Sequence, residues 1–249
     1  MNIRINIFKL LFIFLKKLLK YSYLMRFIAI RHGKTENNDL QEKSYELYIK
    51  NRSKDPELCE GAQEQCELVG NFLKSQNIRI DKFLCSCQKR AFKTLTYIAN
   101  VYNKDIPREC IPILHEYGGI FMGDKGFPGM TDKEMKELFP EVKLPEGVDL
   151  SKGWYNKDHK ETEEEFRTRL KEVIKMFKSM AQNCEDENYT VCFISHNDFL
   201  DGLFSLLNNA NFVVNNQLSI SHDNLCISSF KIDKNRKVTI EYINFDPKI

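Results

Sequence analysis

Two histidines in this chain of 249 residues stand directly after short apolar runs, where a side chain could do chemistry. His32 follows the isoleucine-rich run 26–30 and is preceded by Arg31, and His196 follows the run "YTVCFIS". Arg31, His32 and Gly33 are a cation, an imidazole and a glycine in a row, which ends a buried strand rather than continuing it. In an open α/β sheet, ligands bind outside the carboxyl ends of the strands. We therefore expect both histidines to face one cleft at the same edge of a sheet.

Two further predicted strands bring an arginine and a carboxylate to that edge. Arg90 lies one helical turn past Ser86, and Glu116 comes just after "CIPIL". Two arginines hold a three-oxygen anion through bidentate contacts, which makes a phosphate group the natural ligand. An imidazole can attack phosphorus, flanking cations can stabilise the transferring oxygens, and a carboxylic acid can protonate the leaving alkoxide. The residues predict phosphoryl transfer through a phospho-histidine, without a metal or another cofactor.

The elements that must position these groups alternate between strands and helices. The predicted strands are 26–31, 80–86, 110–114 and 189–195, and the predicted helices are 60–76, 88–103, 131–139, 161–182 and 197–209. The segment 225–245 has the pattern of a β-hairpin that turns at 233–236. This order predicts an α/β fold: a three-layer sandwich with a mostly parallel central sheet, helices on both faces and an antiparallel C-terminal edge hairpin.

The chain divides into an N-terminal extension and one domain. We expect the domain to cover 25–249, with an inserted lid at about 117–160 that is rich in glycine and proline. In this insertion Trp154 and Tyr155 are expected to anchor the lid on the core rather than to cover a substrate.

Residues 1–24 form an apolar and basic extension. Their longest uncharged apolar run is "LLFIFL", short of the roughly 20 residues that a membrane-spanning helix needs. Three interpretations stay open: an amphipathic helix on a membrane surface, an organelle-targeting extension, or a leader before a start at Met25.

The composition excludes some functional classes. The formal net charge of +2 gives no basis for a nucleic-acid partner. Eight cysteines are present without a CxxC pair, which predicts reduced thiols and a cytoplasmic protein. Association with an organelle or a membrane through residues 1–24 is the alternative. The expected partner is a phosphorylated small molecule or a phosphoprotein, and nothing in the sequence indicates an oligomeric state.

Five segments of the chain resemble a known family. The motif "RHGKTENN" (31–38) is similar to the signature R-H-G-x-T-E-x-N of the histidine phosphatase superfamily, in its phosphoglycerate mutase-like branch. The other four segments follow in the order of the family, and they are "DPELCEGAQEQCELVGNFL", "CSCQKRAFKTL", "LHE" and "CFISHNDFL". The resemblance extends from Arg26 to about Phe245 and is weakest at 117–160.

This resemblance implies a role for each matching residue. His32 would be the nucleophile, and Glu116 would donate a proton to the leaving group and then act as general base for water. The groups that would hold the phosphoryl group are Arg31, Arg90 and His196, with Asn38 at its rim. Members of the family need no metal.

Several positions depart from the family pattern or leave alternatives. Asn197 stands where a glycine usually follows the second histidine, and its backbone N–H remains able to bind substrate. Cys87 is expected to be a buried, inert thiol rather than a redox-sensitive one. The carboxylates of Glu109, Asp124 and Asp132 are alternatives to Glu116 as the acid. The remaining histidines are interpreted as surface or structural residues: His115, His159 and His222.

The resemblance also bears on the activity. Mutases of this branch carry an R-H-Y-G stretch near the acidic glutamate, whereas this chain has "HEYGGIFMG". They also have a long C-terminal tail that shields the phospho-histidine, and this chain ends soon after its last predicted strand. We predict a metal-independent phosphomonoesterase. The alternatives are a phosphoglycerate mutase and a catalytically silent module that binds a phosphorylated ligand.

Overall fold

The computed structural model describes residues 24–102, 105–186, 188–208 and 221–248. The predicted extension at 1–24 lies outside the described residues except for Leu24, which begins the first strand. Within the described ranges, no helix combines the length and the apolar character needed to cross a membrane.

The described chain alternates strands and helices, as predicted. The strands are β1 (Leu24–Arg31), β2 (Lys82–Cys85), β3 (Arg108–Cys110), β4 (Phe121–Met122), β5 (Lys125–Gly126), β6 (Thr190–Ser195), β7 (Ile227–Asp233) and β8 (Val238–Phe245). The α-helices are α1 (Glu36–Lys43), α2 (Tyr45–Asn51), α3 (Ala62–Ser75), α4 (Lys89–Asn100), α5 (Asp132–Leu138), α6 (Glu163–Asn183) and α7 (Asn197–Leu207).

Six of these strands form one mixed sheet in the order β3-β2-β6-β1-β7-β8. The first four strands of this order are parallel to one another, and β7 and β8 are antiparallel to their neighbours. Helices α3 and α4 pack on one face of the sheet, and α6 and α7 pack on the other. The predicted three-layer sandwich with an antiparallel C-terminal edge hairpin is confirmed.

Strand β1 is buried on both faces, which explains its nearly continuous apolar sequence. Ile28 and Ile30 point to the layer of α3 and α4, and Phe27 and Ala29 point to the layer of α6 and α7. All four side chains are fully buried. The strand therefore has a fixed register, because a shift by one residue would move every side chain to the opposite layer.

One predicted strand differs from the structure, and two helices were not predicted. The strand predicted at 110–114 lies earlier, at β3, and a 3₁₀ turn follows at Pro112–Leu114. Pro112 explains the shift, because it has no N–H for a sheet and its fixed φ suits the first turn of a helix. The sequence analysis missed helices α1 and α2, which are short and have no buried residue.

The insertion at 117–160 consists of the β4–β5 hairpin, α5 and irregular segments. Trp154 and Tyr155 are buried in the core layer that contains α3 and α4, so the prediction that they anchor the insertion is confirmed. Gly119 has a φ of +72°, and a Cβ atom there would lie 2.1 Å from the ring of Tyr155. This close approach requires glycine.

We expect Gly119→Ala to destabilise the fold more than Gly123→Ala does. Gly123 also has a positive φ, +58°, but a Cβ atom there would meet nothing within 4 Å. Both variants carry the same backbone strain, and the overlap with Tyr155 should cost about 1–3 kcal/mol more in Gly119→Ala. Urea unfolding of both variants measures this difference, and equal free energies of unfolding would contradict it.

Candidate active site

The pairing of β1 with β6 brings the two predicted histidines together. Arg31 lies opposite Ser195 in this parallel pair, and the backbone N–H of His32 donates to the carbonyl of Ser195 at 3.0 Å. The ring centroids of His32 and His196 are 5.1 Å apart, and both side chains are buried. Both histidines therefore lie at the carboxyl edge of the sheet, as the sequence predicted.

The hydrogen bond of His32 defines which ring nitrogen can react. Nδ1 of His32 lies 2.8 Å from the carbonyl oxygen of Gly33. A carbonyl oxygen only accepts, so Nδ1 carries the proton and Nε2 holds the lone pair. Burial, followed by the charges of Arg90 and Arg31, holds the pKa of His32 well below its usual value. The ring is therefore neutral near pH 7, with a nucleophilic Nε2.

His196 is also a neutral ring with one engaged nitrogen. Its Nε2 lies 2.6 Å from Oγ of Ser86, at the end of β2. Its buried Nδ1 has no hydrogen-bond partner among the described residues. Burial and then the charge of Arg90 lower the pKa of His196 well below its usual value. A buried nitrogen without a partner is costly, and a ligand oxygen would satisfy it.

Both predicted arginines are present and incompletely paired. Nη1 of Arg31 donates to the carbonyl of His222 at 2.5 Å, whereas its buried Nε has no partner in the described part of the chain. Arg90 is 7% exposed, and its ion pair with Asp55 is long, at 3.6 Å. Burial lowers the pKa of both arginines, although nearby carboxylates act in the opposite direction.

Glu116 lies on the same side, held by backbone N–H groups. Its Oε1 accepts from Tyr117 N at 2.8 Å and from Phe199 N at 3.0 Å, the latter in the first turn of α7. Burial and the charge of Asp198 raise the pKa of Glu116 to about 7, against the lowering effect of Arg90 and these N–H groups. A carboxyl group with this pKa can give and take a proton near neutral pH.

Of the three alternative carboxylates, two pair with lysines and one is exposed. Glu109 pairs with Lys82 at 2.8 Å, and Asp132 pairs with Lys136 at 2.9 Å. Asp124 is exposed on the turn between β4 and β5. Glu116 is the one of these four carboxylates whose charge acts on both site arginines. The geometry therefore favours Glu116 as the acid of this site.

The predicted asparagines hold loops around the site. Oδ1 of Asn38 accepts from the backbone N–H of Thr35 at 3.0 Å and closes the N-terminal cap of α1. The side chain of Asn197 accepts from His222 N at 2.9 Å. Asn224, which the sequence analysis missed, donates to the carbonyl of His32 at 2.8 Å.

Three more residues that support the site were missed, although two quoted motifs contain them. Oxygens of Asp55 accept from the backbone N–H of Lys89 at 3.2 and 3.3 Å and thereby fix the start of α4 next to Arg90. Ser86 bonds to His196, and the side-chain oxygen of Gln88 accepts from the backbone N–H of Glu116 at 3.0 Å. Each of these residues lies in a segment that resembles the family, but the sequence did not indicate its role.

A buried ion pair fixes the loop that carries Glu116. Arg169 contacts both carboxylate oxygens of Glu161, at 2.7 and 2.6 Å, and its Nη1 donates to the carbonyls of Ile113 and His115 at 2.9 Å each. Glu161 in turn accepts from the backbone N–H of Gly118 at 3.3 Å. The pair therefore holds the backbone on both sides of Glu116.

A cavity of about 490 Å³ opens beside this ion pair, lined by His115, Trp154, Arg169 and Glu172 among others. None of the five predicted catalytic residues lines it.

The described part of the chain holds no group of three or more His, Cys, Asp or Glu side chains placed to bind a metal ion. Cys87 is fully buried, and burial raises the pKa of its thiol. The prediction that this thiol is buried is confirmed, and its lack of reactivity stays a prediction.

We expect Arg169→Lys to lower the free energy of unfolding by about 1–3 kcal/mol, because lysine cannot reach Glu161 and both carbonyls at once. The matched control is Arg167→Lys on the same helix, where the pair with Glu163 is partly exposed. Exposed pairs contribute little, so this control should change stability by less than about 1 kcal/mol. Thermal unfolding checks both, and a similar loss in the two variants would contradict the role of Arg169.

The chain is similar in structure to three solved proteins, of which two are named as phosphatases and one as a mutase. The ecdysone phosphate phosphatase from Bombix mori has 17% identity and a TM-score of 0.60, over 90% of this chain and 95% of that chain. An alpha-ribazole phosphatase from Shigella flexneri has 18% identity and a TM-score of 0.56, over 88% and 96%. A phosphoglycerate mutase from Bacillus anthracis has 18% identity and a TM-score of 0.58, over 91% and 96%.

At these identities the likeness shows the fold. No curated protein matches the chain. The family profile described as histidine phosphatase superfamily (branch 1) matches residues 27–245, from within β1 to the end of β8. The chain belongs to the histidine phosphatase superfamily.

Proposed function

We propose that this protein is a metal-independent phosphomonoesterase that works through a phospho-histidine on His32. One observation carries the proposal: the ring of His32, with Nδ1 bonded to a carbonyl and Nε2 left free, lies close to Arg31, to the buried Arg90 and to the ring of His196. A phosphate dianion would supply the charge and the acceptors that these groups lack.

In the first step, Nε2 of His32 attacks phosphorus and forms a P–N bond while the ester P–O bond breaks. Arg31, Arg90 and His196 stabilise the charge on the equatorial oxygens of the transferring group. Protonated Glu116 gives its proton to the leaving alkoxide, which departs as the alcohol. The carbonyl of Gly33 keeps the Nδ1 proton in place as the ring becomes positive.

In the second step, water replaces the alcohol. The carboxylate of Glu116 removes a proton from the water, whose oxygen then forms a P–O bond as the P–N bond breaks. The products are inorganic phosphate, neutral His32 and a reprotonated Glu116. A pKa of about 7 suits Glu116 to both directions of this proton transfer.

The substrate we propose is a phosphorylated small molecule or a phosphoprotein. Among the structural neighbours, the names of two phosphatases refer to unlike compounds, ecdysone phosphate and alpha-ribazole. We propose that the inserted segment 117–160 acts as the lid that selects the alcohol, since it begins directly after Glu116 and its first residue, Tyr117, donates its backbone N–H to the Glu116 carboxylate.

The neighbour named phosphoglycerate mutase supports the alternative of phosphotransfer between hydroxyls. An assay of 3-phosphoglycerate with catalytic 2,3-bisphosphoglycerate separates the two activities. Isomerisation faster than phosphate release would favour the mutase, and phosphate binding without any turnover would favour a silent binding module.

We expect the purified protein to hydrolyse p-nitrophenyl phosphate in the presence of EDTA and to be inhibited by vanadate. His32→Ala should lower kcat/KM by roughly a thousandfold or more, because the nucleophile is removed. His159→Ala is the control, since His159 is exposed and its ring bonds only to Asp158 and Glu165 among described side chains. Full activity in His32→Ala would overturn the proposal, and loss of activity in EDTA would overturn its metal-independent part.

We expect kcat/KM for an alkyl phosphate to fall as the pH rises through about 7, because Glu116 then loses the proton that the alkoxide needs. Glu116→Gln should lower kcat/KM at pH 6 by roughly a hundredfold or more and should remove this alkaline decline. The ionisation of the substrate is the same for both proteins, so it cancels in their ratio. An unchanged alkaline decline in the variant would assign it to another group.

A further inference from the structure

Four cationic side chains near the site lie over aromatic rings rather than beside carboxylates. Nη2 of Arg52 donates to the carbonyl of Phe121 at 3.3 Å, and its guanidinium carbon lies 4.4 Å from the centroid of the Phe121 ring. Lys160 Nζ lies 4.7 Å from the same ring and 5.1 Å from that of Tyr117. Lys54 and Lys125 lie 3.9 and 5.4 Å from the ring of Phe127. We call these four residues the cationic rim.

The cationic rim differs from the cations that pair with acids. Many other described cations form such pairs, for example Lys93 with Glu57 at 2.5 Å and Lys231 with Glu241 at 2.6 Å. Within the described ranges, no carboxylate lies within 4.0 Å of a nitrogen of the rim, and the buried Nε of Arg52 has no hydrogen-bond partner. Rings hold these cations in place without neutralising them.

The rim is fixed to the catalytic loop on one side. The backbone N–H of Glu161, next to Lys160, donates to the carbonyl of Gly118 at 3.2 Å, two residues after Glu116. A Cβ atom on Gly118 would lie 2.5 Å from the Phe121 ring and 3.2 Å from the Lys160 side chain. The ring and the lysine stem therefore cover the backbone that follows Glu116.

On its other side, the rim is fixed to the segments that hold the phosphate-binding groups. Ser53, next to Arg52, exchanges two hydrogen bonds with the side chain of Asn37 in α1, at 2.8 and 2.9 Å. Lys54 precedes Asp55, which pairs with Arg90. Tyr48, whose ring lies 5.3 Å from the Arg52 guanidinium, is within electrostatic reach of Arg90. The unpaired charge thus borders the phosphate pocket.

We propose that the cationic rim binds a second anionic group on the alcohol half of the substrate, so that the preferred substrates are phosphomonoesters that also carry a carboxylate or another phosphate. This inference rests on the proposed phosphatase activity. Arg52 and Lys160 are the inner pair, and Lys54 and Lys125 extend the positive surface outward. The rings of Tyr117 and Phe121 form an apolar floor between the two anionic ends of such a substrate.

The test compares esters that share one leaving group. They are 4-ethylphenyl phosphate and three analogues whose ethyl chain carries a carboxylate, a phosphate or an ammonium group at its end. Two methylene groups separate the added charge from the ring, so the phenol leaves equally well in all four. We expect the carboxylate and phosphate esters to exceed the neutral ester in kcat/KM by about tenfold, and the ammonium ester to fall below it.

The ratio of kcat/KM for the anionic ester to kcat/KM for the neutral ester should approach one in the double variant Arg52→Gln/Lys160→Gln. It should also approach one at about 0.5 M salt, because the screening length is then only a few ångström. Lys175→Gln is the control, because Lys175 is exposed on α6. The ratio is measured within each protein, so a general loss of activity cancels. If only the carboxylate ester or only the phosphate ester is preferred, that group is the second anion that the rim binds.

Two other outcomes are informative. If the neutral ester is hydrolysed and the wild-type ratio is already near one, the rim does not select the substrate, although the phosphatase activity stands. If no ester is hydrolysed, the proposed function fails. Calorimetric titration with the same four esters then decides the inference separately, and equal affinities would overturn it.

Discussion

The parallel pairing of β1 with β6 is the constraint on which the site depends. Both strands are buried on two faces, so their register is fixed by the core rather than by the site. This register sets Arg31 opposite Ser195, and the residues that follow are His32 and His196. The distance between the two imidazoles is therefore a consequence of core packing. A site built on this edge inherits the rigidity of the central sheet.

The core brings together charge that the protein itself does not neutralise. Arg90 has one long ion pair, Arg31 has an unused Nε, and His196 has an unused Nδ1. Burial, followed by the nearby positive charges, keeps both histidines neutral, since a further positive charge in the same hollow would be repelled. The same excess of positive charge that helps to suppress protonation of the rings would attract an anion. Neutral rings and attraction of an anion thus share one electrostatic contribution.

The carboxyl group of Glu116 is positioned by different means. Glu116 lies in an irregular segment, and no strand fixes it. Its backbone is held by Gln88 and by the carbonyl contacts of Arg169, and its carboxylate is held by the N–H groups of Tyr117 and Phe199. Burial and Asp198 raise its pKa, and Arg90 lowers it. A value of about 7 results from opposing contributions supplied by three separate segments of the chain.

The sequence by itself determined the fold class, the ends of β1 and β6 and the two arginines and two histidines near them, because each depends on local patterns: apolar runs, helix periodicity and a motif next to a strand. It did not reveal helices α1 and α2, the position of β3 or the 3₁₀ turn at Pro112–Leu114, because such short segments carry weak patterns. Tertiary structure alone decided the partners of the site. Asn224 reaches the carbonyl of His32 across 192 residues of sequence, and Arg169 reaches that of His115 across 54. No local pattern encodes such contacts, since they exist only once the strands and helices have packed.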